Sequence, residues 1–419
     1  MEIAKAKEAV IKAGKKLIEK GLIARTWGNV SCRINDRQFA ITPSGKAYEN
    51  LNNEEIVIVN IEDCSYEGNV EPSSEKKVHA AVYQKRSDVN FVIHTHQPYA
   101  STVSPLGTDI TVSDPAAADL VGEKVISIPY ALSGTERLKK NVADALASAQ
   151  GKAYLMVSHG ALCLGQNNEE AFKVASTLEQ ICAEYISRRY LELSGDITFD
   201  SQAFRNFFVK MQTGNSTCVF NSFPEKLWNS ERIEKGFRLH LETSEADPFP
   251  FDSNQNINVL FNENLSDQVE DNLKTAVNIH GELYKNNPEI QAIIHTLAPD
   301  IVAVSCTGRM VHPMLDDFAQ IIGENVQFVD LSKLSFASEK GMDLTSKIKG
   351  RSTVMLKGNG ALCCGPSKSD AAAAVVIMDK NSKAVIASTL FSKGRPINPY
   401  EARQMRENYL KHYAKKAIN

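Results

Sequence analysis

Apolar residues recur along the first half of the chain with two periods. Over residues 3–20, Val10, Ile11, Leu17 and Ile18 fall on one side at helical spacing, which predicts an amphipathic helix. Residues 27–33 and 38–42 read as two short strands, with Asn35-Asp36 supplying the turn chemistry between them. Ile56-Val57-Ile58-Val59 predicts another strand, and residues 75–86 have helical spacing. Asn90 to His94 predicts a buried strand, and residues 169–190 a long helix. Strand and helix mix without strict alternation, so the pattern predicts an α/β or α+β layered domain.

The pattern also repeats. VHAAVYQKRSDVNFVIHTHQPYASTVS at 78–104 matches IHGELYKNNPEIQAIIHTLAPDIVAVS at 279–305, with His79, Tyr83, His94, Thr95 and Ser104 recurring in place. SHGALCLG at 158–165 matches GNGALCCG at 358–365. The offsets are 295 − 94 = 201 and 359 − 159 = 200. Two separate matches at nearly one offset predict a tandem duplication, with a period too long for a solenoid. Domains are expected at 1–198 and 199–419, consistent with a 419-residue chain that exceeds one typical core. The stretch 197–240 fits neither copy well, and it is rich in Phe and Asn; it is read as the divergent start of the second domain.

Composition narrows the class. Hydrophobic residues at 43% and charged residues at 23% are ordinary for a globular protein, and a net charge of −3 implies neither a polyanion nor a membrane surface as partner. No run of 18 apolar residues occurs, so a spanning helix is not expected. Glu2, Glu8 and Glu19 fit neither a signal peptide nor a transit peptide. The eight cysteines form no C-x-x-C pair and sit mostly among apolar neighbours, which predicts buried free thiols and a cytoplasmic protein. A C-terminal stretch with Arg403, Arg406, Tyr409 and Tyr413 reads as a basic amphipathic helix whose expected role is packing.

The candidate chemistry lies in the first copy. Side chains alternate along a strand, so His94 and His96 are expected on one face, where two imidazoles invite a divalent transition metal. His159 is the candidate third ligand, and three histidines with an open position describe a catalytic site. Surface or packed histidines are the alternative. Glu75 follows Pro72-Ser73-Ser74 at a helix start, where it serves either the helix dipole or, as general base or fourth metal contact, the chemistry. His79, one turn on, is read as packing because His280 persists in the second copy. Gly28 to Ser31, Thr42 to Gly45 and Ser73-Ser74 offer hydroxyls, a carboxamide and free N–H groups suited to a phosphate; singly, each is equally a turn.

GNVS at 28–31, TPSG at 42–45, PSSE at 72–75, HTH at 94–96, IPY…GT at 128–135 and SHGAL at 158–162 together resemble the class II aldolase/adducin family. The resemblance implies a three-layer α/β/α fold in tandem, with one Zn2+ or another divalent metal per chain on His94, His96 and His159. It implies that Glu75 approaches the metal at rest and shuttles protons in turnover. Asn29, Ser44, Gly45, Ser73 and Ser74 match the phosphate pocket, and Tyr130 falls near a tyrosine that acts across a subunit boundary in a homo-oligomer. The implied reaction is retro-aldol cleavage of a small ketose 1-phosphate to dihydroxyacetone phosphate and an aldehyde. Dehydratases, epimerases and metal-free adducin scaffolds belong to the same family; its epimerases have Asp where this chain has Glu75. In the second copy Leu297, Asn359 and Ala276 replace the second histidine, the third histidine and the glutamate, and no GNVS or TPSG counterpart is visible.

Overall fold

The computed structural model describes residues 1–20, 22, 28–215, 228–241, 256–331 and 344–412. The chain divides into two compact units. One is built on Met1–Asp196 with a return of the chain at Leu390–Pro396; the other is built on Ile197–Thr389 and Ile397–Tyr409.

Unit 1 begins with α1 (Ile3–Glu19), whose buried Val10 and Leu17 confirm the amphipathic reading. Its strands are β1 (Gly28–Arg33), β2 (Gln38–Ile41), β3 (Val57–Asn60), β4 (Phe91–Thr95), β5 (Ile110–Thr111), β6 (Lys124–Ile128), β7 (Ala153–Met156) and β8 (Gly160–Gly165). Between them lie α2 (Lys76–Lys85), α3 (Pro98–Val103), α4 (Pro115–Val121) and α5 (Glu136–Ser148), and α6 (Asn168–Ser194) follows. The sheet order is β3-β2-β1-β4-β8-β7-β6-β5. It is antiparallel except where β6 pairs with β7. The Asn35 side chain accepts from the N–H groups of Arg37 and Gln38, which is how the expected turn joins β1 to β2.

One face of this sheet packs against α2 and α5. Val78 and Val82 of α2 and Leu138 and Val142 of α5 share a core with Phe39, Val59, Val92 and Leu162. The other face meets α1 and α6. Helices on both sides of one sheet make the three-layer α/β/α arrangement.

Unit 2 contains α7 (Ser201–Thr213), β9 (Trp228–Ile233), β10 (Gly236–Leu241), β11 (Asn256–Leu260), α8 (Lys274–Asn286), β12 (Ala292–Thr296), α9 (Pro299–Ser305) and α10 (Asp316–Ile321). It continues with β13 (Phe328–Val329), α11 (Leu344–Ile348), β14 (Thr353–Leu356), β15 (Ala361–Gly365), α12 (Lys368–Phe391) and α13 (Pro399–His412). Its sheet runs β11-β10-β9-β12-β15-β14-β13, the order of unit 1, with an isolated Val311–Val326 bridge where unit 1 has its edge strand β5. The duplication is therefore one of fold.

Two expectations change here. The stretch at 197–240 holds a counterpart of the GNVS strand after all: β9 lies between β10 and β12 as β1 lies between β2 and β4. Cys306 is disulfide-bonded rather than free. Cys32, Cys64, Cys163, Cys182, Cys363 and Cys364 are free and buried as expected, while Cys218 lies outside the described residues. The C-terminal helix does pack: Arg406 donates to the carbonyls of Gln320 and Ile321 and to Ser352 Oγ, and Arg403 pairs with Glu324. Tyr413 lies outside the described residues. Among the described residues, no helix is long and apolar enough to cross a membrane.

Among the histidines each unit buries, one on its first sheet-covering helix, His79 or His280, is held neutral. Burial pushes His79 down to about 4 and His280 down to about 3, from an ordinary value of 6.5. Below pH 6.5 the unfolded chain takes up protons that the folded chain refuses. Stability is therefore full above that pH and falls as pH drops, by about 1.4 kcal/mol per pH unit for each ring, until the folded values are reached. Urea midpoints for both units are expected to decline between pH 6.5 and 5; midpoints unchanged over that range would contradict the burial of neutral rings.

Candidate metal centre

The site is built where β1, α2 and the end of β4 meet. Asn29 pairs with His94 and Ser31 with Val92 across the β1–β4 ladder, so Asn29, Ser31 and His94 share one face of the sheet. The helix α2 lies over that face, with Glu75 at its N-cap and His79 and Tyr83 following at i+4 and i+8. Four helical residues advance about 6 Å and two strand residues about 6.7 Å, so the two ladders keep step. Asn29 consequently meets Glu75 and His79, Ser31 meets His79 and Tyr83, and Arg33 reaches the carbonyls of Tyr83 and Arg86.

The three histidines converge by strand pairing. β4 runs antiparallel to β8, with Thr95 opposite Ala161, so the end of β4 meets the turn that holds His159. Gly160 permits this approach, because a Cβ there would sit 2.3 Å from Thr95 O. Ser158, the residue before His159, is held at a left-handed φ of 57°, a conformation costing about 1–3 kcal/mol in a non-glycine residue. His94 Nε2 lies 3.0 Å from both His96 Nε2 and His159 Nε2. One ring nitrogen from each of the three lies within 4.8 Å of the others.

Protonation follows from the partners. His94 Nδ1 stands 2.9 Å from Ala161 O, and a carbonyl only accepts, so Nδ1 bears the hydrogen and Nε2 presents its lone pair to the cluster. Burial drives the His94 ring well below its ordinary value, against the pull of Glu75, which keeps it neutral. The Glu75 carboxyl closes the group: Oε2 lies 3.1 Å from His94 Nε2 and Oε1 lies 2.9 Å from His159 Nε2. Burial disfavours its charge, but hydrogen bonds from the His159 ring and the Asn29 amide outweigh burial and hold it well below the usual carboxylate range. A set of neutral imidazole lone pairs beside one carboxylate suits a borderline-soft divalent cation such as zinc.

The phosphate candidates form one neighbourhood beside it. Pro43 bridges Pro72, Ser44 N–H donates to Glu71 O, and Ser73 N–H donates to Thr42 O. Thr42 in turn exchanges bonds with Val30 of β1, next to Asn29. Gly45 has a φ of 68°, and both Gly45 and Ser74 are exposed. Ser73 caps locally, its Oγ accepting from Glu75 N–H, while the Glu75 side chain makes no cap of its own and turns toward the histidines. Tyr130 lies half-buried in the loop between β6 and α5.

Sequence reasoning passed over Ser133, three residues further along that loop. Its Oγ donates to Glu75 Oε1 at 3.0 Å. It lies inside the IPY…GT stretch, but a loop hydroxyl has no spacing signal. His79 was read as packing alone, yet it also holds Asn29.

In unit 2 the same ladders persist without the chemistry. Ser230 bonds His280 and Tyr284, and Arg232 reaches the carbonyls of Tyr284 and Asn287, as Ser31 and Arg33 do with their partners. Trp228 stands where register places Asn29, with its ring 6.1 Å from that of His295. Ala276 replaces the carboxylate. His295 donates Nε2–H to Asn359 O at 2.8 Å, so the nitrogen that is bare in His94 is occupied here.

Comparisons with known proteins follow this division. The family profile described as "Class II Aldolase and Adducin N-terminal domain" matches residues 8–186 and again 226–386. The 5-deoxy-D-ribulose 1-phosphate aldolase of Bacillus thuringiensis is 35% identical over 188 residues, covering 44% of this chain and 85% of that protein. The L-fuculose phosphate aldolase of Escherichia coli is 35% identical over 187 residues, covering 45% of this chain and 85% of its own length. A solved L-fuculose 1-phosphate aldolase shares 31% identity with a TM-score of 0.43, covering 48% of this chain and 92% of that one. With two matched regions that together span most of its length, the chain belongs to the class II aldolase and adducin family and contains the family domain twice.

Proposed function

We propose that this chain is a cytoplasmic, metal-dependent lyase that cleaves a small ketose 1-phosphate into dihydroxyacetone phosphate and an aldehyde. The observation that carries the reading is the meeting of His94, His96 and His159 at their Nε2 atoms with the Glu75 carboxylate between them. The similarity to two sugar-phosphate aldolases supports the substrate class. The catalytic domain is residues 1–198, and residues 199–419 are a metal-free copy.

A divalent cation on the three histidines supplies positive charge that polarises the substrate carbonyl and stabilises charge developing on its oxygen. Glu75 accepts the proton of the C4 hydroxyl as the C3–C4 bond breaks, and the electron pair of that bond stays on the C3 side. Glu75 then returns the proton to C3, so the reaction neither gains nor loses a proton. Ser133 and Asn29 hold the carboxylate at each oxygen while this happens. Ser44, Gly45, Ser73, Ser74 and the second amide hydrogen of Asn29 hold the phosphate and fix the carbon skeleton in place. Tyr130 acts across the subunit boundary of a homo-oligomer.

Turnover on a panel of ketose 1-phosphates tests the reading. Aldehyde and dihydroxyacetone phosphate are expected in equal amounts, with activity lost on chelation and restored by zinc. Release of an epimer, or loss of water, would assign the site to epimerase or dehydratase chemistry. Sugar-phosphate binding without turnover, indifferent to chelation, would leave a scaffold.

A further inference from the structure

A single chain of hydrogen bonds leads away from Glu75 through four side chains, all buried. Asn29 Nδ2 lies 2.8 Å from Glu75 Oε2; Asn29 Oδ1 meets His79 Nε2; His79 Nδ1 lies 2.6 Å from Ser31 Oγ; and Ser31 Oγ lies 2.7 Å from Tyr83 OH. Neither the histidine nor the two hydroxyls declare by themselves which atom donates. The carboxylate decides it. An ionised Glu75 accepts only, so Asn29 must turn its NH2 toward it and its carbonyl toward His79. His79 must then bear its hydrogen on Nε2, which leaves Nδ1 bare to accept from Ser31. Ser31, having donated, accepts from Tyr83. Tyr83 is anchored at the far end under the Arg33 guanidinium, 4.6 Å from its ring centre.

We propose that His79 is a positioning residue for Glu75. By donating Nε2–H to Asn29 it prevents the carboxamide from flipping and keeps an N–H aimed at the carboxylate oxygen that faces His94. The inference rests on the reading of Glu75 as the proton carrier.

Unit 2 supplies the comparison that separates this role from packing. There the Tyr284–Ser230–His280 portion is retained, with Ser230 Oγ 2.6 Å from His280 Nδ1 and 2.9 Å from Tyr284 OH. The portion beyond it is gone, with Trp228 in place of Asn29 and Ala276 in place of Glu75. The shared half of the chain holds helix to sheet in both units. The half present only in unit 1 serves the carboxylate.

The experiment pairs His79→Phe with His280→Phe in the full-length, zinc-loaded protein. Each substitution removes a buried Ser–His bond and is expected to lower the thermal midpoint of its own unit, His79→Phe by the larger amount because it also removes the bond to Asn29. Only His79→Phe is expected to lower kcat, by tenfold or more, with KM within twofold and the zinc content unchanged. His79→Gln, which can both donate to Asn29 and accept from Ser31, is expected to restore at least half of that loss on a logarithmic scale. His79→Phe with kcat within twofold of wild type overturns the proposal. A second readout needs no activity: nitrogen-15 spectra of the metal-free protein near pH 7.5 are expected to show His79 as the Nε2–H tautomer. An Nδ1–H tautomer there overturns the proposal even if no substituted protein folds. The proton-carrier reading fails separately, if Glu75→Gln turns over like wild type while His79 keeps its tautomer.

Discussion

Glu75→Gln is expected to lower kcat by about 10²–10⁴-fold, the usual contribution of a general acid–base group, while leaving one metal per chain and the fold in place. Glutamine has nearly the same shape: its one oxygen can accept from Asn29, and its NH2 can donate to Ser133 Oγ once that hydroxyl turns its own hydrogen away, so the hydrogen-bonded frame tolerates it. What it lacks is a group able to take and return a proton. Zinc content and the thermal midpoint check the frame, and single-turnover rates check the chemistry. A near wild-type rate would reduce Glu75 to the N-cap position of α2.

His159→Asn is expected to empty the centre. The substitution installs the residue that unit 2 has at 359, where the histidine opposite donates to a backbone carbonyl instead of facing a metal. Removing one of three imidazoles should weaken metal binding by more than the 10–100-fold typical of losing an outer hydrogen-bond partner. Elemental analysis should read one zinc per wild-type chain and under a tenth in the variant, with turnover at background. Two metals per wild-type chain would mean that unit 2 binds as well.

The legible part of this protein was the part with a period. The apolar run in 90–94 and helical spacing in 75–86 located β4 and α2, and the strand period placed His94 and His96 on one face. The repeated blocks at 78–104 and 158–165 exposed the duplication because they lie in central strands and the helix above them, where packing limits change. The start of the second copy was hidden for the opposite reason. Ser230 and Arg232 keep their bonds to His280, Tyr284 and the α8 carbonyls, but Trp228 has replaced the most recognisable polar residue of the motif. Two residues preserved by geometry do not make a visible motif. Ser133 escaped because only the folded loop brings it to Glu75. Glu75 was expected to be drawn either to the helix dipole or to the chemistry, and its side chain makes no cap bond.

The backbone beside His159 has a longer implication. Ser158 is held at a left-handed φ of 57°, whereas the matching position in unit 2 is Gly358, at 72°, where the same conformation costs a glycine almost nothing. A one-residue change to glycine was open to both copies and would relieve the turn in either. Unit 2, with no ring to aim, has the relaxed residue; unit 1 has the strained one next to the His159 imidazole. The difference singles out Ser158→Gly as the substitution that should trade aim for stability.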